Sequence, residues 1–104
     1  MLTCIEQVPR GRVIAYGQIG AITDVGPRQV GAVLATHGAE VAWWRCTDAH
    51  GDLPDFHHAE AAVRWAEEGI AWKPNRRGCR IKDYQADLEA VAAAYERAIA
   101  QRKP

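Results

Sequence analysis

Four consecutive residues, Asp24-Val25-Gly26-Pro27, most limit what this chain can fold into. Glycine and proline together end a helix, yet apolar residues recur at helical spacing on both sides of the break. Before it, Tyr16 to Ile22 places Ile19 and Ile22 on one face. After it, Pro27 suits the first turn of a new helix, whose buried face is Val30, Val33 and Leu34 at i, i+3 and i+4. Helix, glycine-containing turn and helix make the outline of a helix-turn-helix, an outline shared with αα-hairpins that bind nothing. The opposite face of the second helix narrows the choice. Arg28, Gly31, Ala32 and Ala35 fall together at spacings of three and four, and apart from the arginine they are tiny. Such a face lets a helix backbone come very close to something large, either another helix or a nucleic-acid groove. The arginine at its leading end favours the groove.

The rest of the chain reads as elements of a mixed α/β domain. Leu2 to Val8 is a short helix stopped by Pro9, Arg12 to Ala15 a small strand, Val41 to Thr47 a second strand and His50-Gly51-Asp52 a turn. Asp55 is placed to cap a helix over Phe56 to Glu68, with Ala59, Ala62, Val63 and Ala66 as its apolar side, and Gly69 stops it. Ile70-Ala71-Trp72 and Arg80-Ile81 are short extended pieces. Asp83 caps a last helix, on which Tyr84, Leu88, Val91, Tyr95 and Ile99 form a stripe along about 20 residues, roughly 30 Å. That stripe suits core packing or a partner interface. With no internal repeat or low-complexity linker, the expectation is one unit, a domain over residues 1–82 extended by a helix over 83–104.

Composition excludes several classes of function. A chain of 104 residues, 48% hydrophobic and 25% charged, makes one globular core with room for one site. No apolar run approaches the roughly 18 residues that span a bilayer, and Met1 to Cys4 has neither the basic nor the apolar region of a signal peptide, so a cytoplasmic location is expected. Cys4, Cys46 and Cys79 are odd in number and widely spaced, which indicates reduced thiols rather than a disulfide framework or a zinc site. His57 and His58 are adjacent on a helix and point in different directions, so His50, His57 and His58 are not expected to gather a metal. Net charge is zero, which argues against binding by bulk electrostatics. The charges are nonetheless sorted: residues 48–72 carry six acids and one arginine, and Lys73 to Lys82 holds five cations in ten residues. Such blocks are usually solvated faces, with a basic loop beside a phosphate backbone as the alternative.

Within Val41 to Thr47 stand two adjacent tryptophans, Trp43 and Trp44, followed by Arg45. A buried indole N–H needs a partner, so the pair needs a reason. Three blocks supply one: PRGRVIAYGQIG (Pro9 to Gly20), PRQVGAVL (Pro27 to Leu34) and VAWWRCT, in this order and at these intervals. Together, over residues 2 to about 82, they resemble the DNA-binding domain of O6-alkylguanine-DNA alkyltransferases, and specifically the alkyltransferase-like proteins. Active alkyltransferases have Pro-Cys-His-Arg where this chain has Ala42-Trp43-Trp44-Arg45.

The resemblance implies a winged helix-turn-helix-like domain that senses damage without repairing it. Trp43 takes the position of the alkyl-accepting cysteine and Trp44 that of its activating histidine. An indole supplies neither thiolate nor base, so no catalytic residue, cofactor or metal is implied. Trp43, Trp44, Arg45 and Phe56 are the expected lesion pocket, with Leu53 and Pro54 as further pocket-facing residues. Tyr16, Arg28, Gln29, Gly31, Ala32 and Ala35 are the expected DNA-binding set. By the resemblance, Arg28 fills the gap left by an extruded nucleotide, Tyr16 presses on the adjacent phosphate, and the small face enters the minor groove, where sequence readout is degenerate. The implied partners are double-stranded DNA containing O6-alkylguanine and nucleotide excision repair proteins, with no membrane, and the protein would associate with the nucleoid when bound. Two other functions remain open. Cys46 could accept an alkyl group in place of Trp43, although along a strand a shift of three residues moves a side chain to the opposite face and about 10 Å away. Alternatively, the chain is an interaction module without lesion preference.

Overall fold

Residues 2–54 and 57–102 are described by the structure, a computed structural model. The elements run α1 (Leu2–Glu6), β1 (Ile14–Ala15), α2 (Tyr16–Thr23), α3 (Pro27–His37), two 3₁₀ turns (Gly38–Glu40 and Trp43–Arg45), β2 (Cys46–Thr47), α4 (His58–Glu68), α5 (Ile81–Tyr84) and α6 (Leu88–Arg102). β1 and β2 pair in parallel, Ile14 with Cys46 and Ala15 with Thr47. This is a mostly helical domain with a short two-stranded sheet.

The predicted helix break holds for a specific reason. Asp24 adopts the left-handed conformation that ends α2 (φ 59°), and the Val25 N–H donates to the Gly20 carbonyl at 3.0 Å. The chain turns so tightly that a Cβ on Gly20 would lie 2.3 Å from the Val25 carbonyl oxygen. Ile19 and Val30 are fully buried across this turn, so α2 and α3 share one core. Val33 and Leu34 are only half-buried, leaving part of α3 uncovered.

β1 separates two apolar clusters, because successive strand residues point to opposite faces. Ile14 joins Cys4, Ile5, Val8, Ile19, Val30, Cys46 and Val91 in one cluster. Val13 joins Leu53, Ala61, Trp65, Ile70 and Cys79 in the other. α6 lies against α1, with Val91 buried and Leu88 and Tyr95 packed on the first cluster.

Four local expectations are corrected. Val41 to Thr47 is a strand only at Cys46 and Thr47; before them the chain makes a 3₁₀ turn in which the Cys46 N–H donates to the Trp43 carbonyl. On α4 the buried residues are Ala61 and Trp65, whereas Ala59, Ala62, Val63 and Ala66 are exposed. One buried tryptophan removes more area from water than several alanines, and that decides which side turns inward. Asp83 lies within α5 and does not cap α6; the Asp87 side chain does, accepting from the Ala90 N–H at 3.2 Å. Neither residues 70–72 nor 80–81 form a strand. The expected cap at Asp55 and pocket residue Phe56 lie outside the described residues.

Candidate nucleic-acid interface

A cavity of about 520 Å³ opens where the second 3₁₀ turn, the exposed side of α3 and the start of α4 meet. Tyr16, Gly31, Leu34 and Ala35 form one side, and Trp43, Cys46, Leu53, Pro54, His57 and Glu60 the other. Its size falls within the roughly 300–1,000 Å³ of small-molecule sites. Of the residues expected in the pocket or on DNA, the structure thus brings Trp43, Leu53, Pro54, Tyr16, Gly31 and Ala35 together. Arg28, Gln29 and Ala32 are exposed on the same helix. The Gln29 side-chain oxygen accepts from the Gly26 N–H at 3.2 Å and closes the turn into α3.

Trp44 and Arg45, read from the sequence as pocket residues, do not line this cavity. In a 3₁₀ turn successive side chains are about 120° apart, so neighbours of Trp43 cannot share its direction. Both are bound to Glu68 instead. The Trp44 indole donates to Glu68 Oε2 at 2.7 Å, and the Arg45 guanidinium grips the same carboxylate twice, Nε to Oε1 at 3.0 Å and Nη2 to Oε2 at 2.9 Å. The Gly11 N–H adds a bond to Oε1 at 2.9 Å, and Arg45 Nη1 donates to the Val8 carbonyl at 3.0 Å. Burial alone would raise the Glu68 carboxyl, but the bonds from Arg45, Gly11 and Trp44 together hold it below its ordinary value. From the core side, the Trp65 indole donates to the Trp44 carbonyl at 2.8 Å. The turn that presents Trp43 is therefore fastened from behind by α4.

Part of the cavity wall is aromatic, formed by Tyr16, Trp43 and His57. The Trp43 ring lies 4.6 Å from that of His57, tilted by 35°, and meets Trp44 edge-on at 5.8 Å. Tyr16 is pushed up to about 12, chiefly by burial and secondarily by Cys46 and Asp48, so at neutral pH it is a neutral hydroxyl able to donate. Cys46 also reaches the cavity, which corrects the strand argument: i and i+3 eclipse in a 3₁₀ turn, so Trp43 and Cys46 share a side. Burial, with a smaller contribution from Cys4, pushes its thiol far above the ordinary range. A group held so firmly as the thiol is a poor nucleophile. Among the described residues no three His, Cys, Asp or Glu side chains gather to hold a metal, and no helix is long and apolar enough to cross a membrane.

Sequence reasoning missed His57, Leu34, Ala39 and Glu60 in the cavity wall, and Glu68 behind it. Glu68 did leave a signal. A carboxylate in the last turn of a helix opposes the macrodipole, and such a breach of a local rule marks a residue with a tertiary task.

The helix-turn-helix, the small exposed face of α3 and the adjoining cavity agree with a comparison against protein families, in which the model for the 6-O-methylguanine DNA methyltransferase DNA-binding domain matches residues 1–70. The chain belongs to this family. No curated protein matches it. As a methyltransferase-family DNA-binding domain, it has DNA as its partner, and the match spans α1 through α4, including every described residue of the cavity. α5 and α6 lie beyond it.

The family assignment gives Gly31 a clean test. A Cβ at Gly31 would meet nothing within 4 Å, so Gly31→Ala is expected to stabilise the free protein by about 0.5–1 kcal/mol through helix propensity. If α3 approaches DNA through this face, the same methyl group lowers duplex affinity several-fold. A thermal melt beside a duplex titration checks both signs.

Proposed function

We propose that this domain binds duplex DNA through α3 in the minor groove, receives a flipped O6-alkylguanine in the cavity beside Trp43, and leaves the base chemically unchanged for nucleotide excision repair. The observation that carries this reading is the placement of Trp43. By the resemblance, the active alkyltransferases keep their acceptor cysteine at this position, and here an indole lines a base-sized cavity together with Tyr16 and the small face of α3. Aromatic surfaces in nucleic-acid sites contribute roughly 1–3 kcal/mol per stacked base, and Trp43 with His57 offers such a wall. Extruding a base costs a few kcal/mol, less where pairing is already weakened, so alkylation at O6 itself helps to select the site.

Arg28 stands exposed at the leading end of the α3 face and makes no ion pair among the described residues, which suits insertion into the gap in the base stack. Arg28→Ala is expected to weaken lesion binding by about 1–3 kcal/mol. Gel shifts on lesion and undamaged duplexes at several salt concentrations test the function. A lesion preference that survives added salt supports the sensor, because phosphate contacts alone give salt-sensitive binding without preference. Equal affinity for both duplexes at every salt concentration leaves only a general DNA-binding module.

The second reading, alkyl acceptance by Cys46, draws on one observation: the sulfur-bearing residue reaches the same cavity. Its full burial and raised thiol weigh against it.

A further inference from the structure

A second cavity, about 720 Å³, lies on the other side of α4 and belongs to neither the DNA face nor the lesion pocket. Its floor is Ala59, Ala62, Trp72 and Pro74, and its rim is Lys73 and Arg76. Along α4 this apolar floor continues through Ala66 and Val63, the latter 58% exposed. α4 is thus apolar on two sides. Ala61 and Trp65 fill the core, while the stripe that the sequence marks for burial is left uncovered.

The charges about the groove are one-sided. Among the described residues that line it, none is acidic. Of the three glutamates on α4, Glu60 lines the other cavity, Glu68 is locked to Arg45, and the exposed Glu67 lies at the C-terminal end of the helix, outside the cavity lining. The loop that supplies the rim is fixed in place: the Lys73 N–H donates to the Gly78 carbonyl at 2.7 Å, the Leu53 N–H to the Arg77 carbonyl at 3.0 Å and the Cys79 N–H to the Gly51 carbonyl at 2.9 Å. A Cβ on Gly78 would lie 2.0 Å from the Gly51 oxygen, so the segments around Gly51 and Gly78 touch backbone to backbone. Lys73 is paired with Asp52 at 2.6 Å, which leaves Arg76 as the lining cation that is exposed without an ion pair among the described residues; Arg77, next to it in the same loop, is exposed and unpaired as well.

From this apolar floor beneath the unpaired Arg76 and its basic loop we infer that the α4–Trp72 groove docks an acidic segment of another protein through a large aliphatic side chain. Nucleic acid suits it poorly. The Trp72 ring is engaged by Trp65 at 4.5 Å and by His58 at 5.2 Å, so it offers a base little free face to stack on. Phosphates, for their part, gain nothing from an alanine floor. An acidic peptide with a leucine or isoleucine anchor uses both halves of the site.

The test uses the full chain and a panel of short synthetic peptides in which glutamates and aspartates flank leucine or isoleucine, followed by fluorescence anisotropy and by ¹⁵N-labelled amide shifts. Binding is expected to shift residues of the α4 stripe and of 72–77. Replacing the anchor by serine, or making the exposed-site variant Ala62→Glu, should each weaken binding roughly tenfold. Arg76→Ala with Arg77→Ala should weaken it several-fold and flatten its salt dependence. Ala62→Glu should leave duplex binding unchanged, which separates this site from the DNA face. The inference is overturned if no peptide of the panel binds, if the serine controls bind equally, if undamaged duplex rather than peptide shifts the groove residues, or if sedimentation shows a second copy of the chain covering the groove.

Discussion

Glu68→Ala is expected to destabilise the domain by about 3–5 kcal/mol, the usual effect of removing one partner from a buried ion pair. The carboxylate accepts four hydrogen bonds, from Arg45 twice, Trp44 and Gly11, and its side chain is only 5% exposed. Without it the Arg45 guanidinium, itself 17% exposed, loses its counter-charge while still anchored to Val8, and the Trp44 indole loses its acceptor. A domain of this size has about 5–15 kcal/mol in all, so the variant should melt at least about 12 °C lower, at roughly 4 °C or more per kcal/mol. The linkage with pH has a definite sign. Because the folded-state carboxyl is held below its ordinary value of 4.5, its contribution is fully present above that value and is lost as pH falls through the lowered one. Denaturation from pH 7 to pH 2 should therefore show a component in the wild type that Glu68→Gln lacks. Equal melting of wild type and variant would show that the turn is held by something else.

Trp65→Ala is expected to have an effect of similar size, about 3–5 kcal/mol. Trp65 is the largest fully buried side chain, packs among Val13, Leu53, Ala61, Ile70 and Cys79, and donates to the Trp44 carbonyl. Trp65→Phe keeps most of the apolar volume but leaves that carbonyl without its donor, at a cost of about 1–3 kcal/mol. The two substitutions together separate packing from anchoring, and denaturant titrations measure both. A contrast with Trp43 is predicted as well. Trp43→Ala removes a half-buried cavity wall and should lower lesion affinity with a smaller loss of stability, whereas Trp65→Phe should do the reverse at temperatures where it stays folded.

The sequence made the helix-turn-helix legible because its signals are local. Asp24 and Gly26 with Pro27 punctuate the backbone, and the spacing of Ile19 and Val30 fixes what faces inward. The small face of α3 was legible for the same reason: Gly31 and Ala35 follow the helical period, and the fold leaves them lining the open cavity. What the residues alone concealed was decided by distant partners. Trp43-Trp44-Arg45 has the aromatic character of a strand, yet it winds into a 3₁₀ turn whose polar groups are answered by Glu68 and Trp65, more than twenty positions away. That winding also divides Trp43 from Trp44 and Arg45, one toward the cavity and two toward α4. On α4 the count of apolar residues favoured Ala59, Ala62, Val63 and Ala66, but the volume of Trp65 prevailed. The adjacent His57 and His58 were rightly expected to diverge: His57 lines the cavity, and His58 Nε2 lies 2.7 Å from the Leu53 carbonyl oxygen.

On the function proposed above, a methyltransferase-family DNA-binding domain with Trp43 in its cavity holds an alkylated guanine and does not react with it. The most direct measurement binds the protein to a duplex carrying one O6-methylguanine with a radiolabelled methyl group, isolates the complex, denatures it and counts both components. The complex is expected to form in preference to one with undamaged duplex, with all label remaining on the DNA. Label on the protein, at Cys46 or elsewhere, would contradict this expectation, and so would the absence of any preference for the lesion.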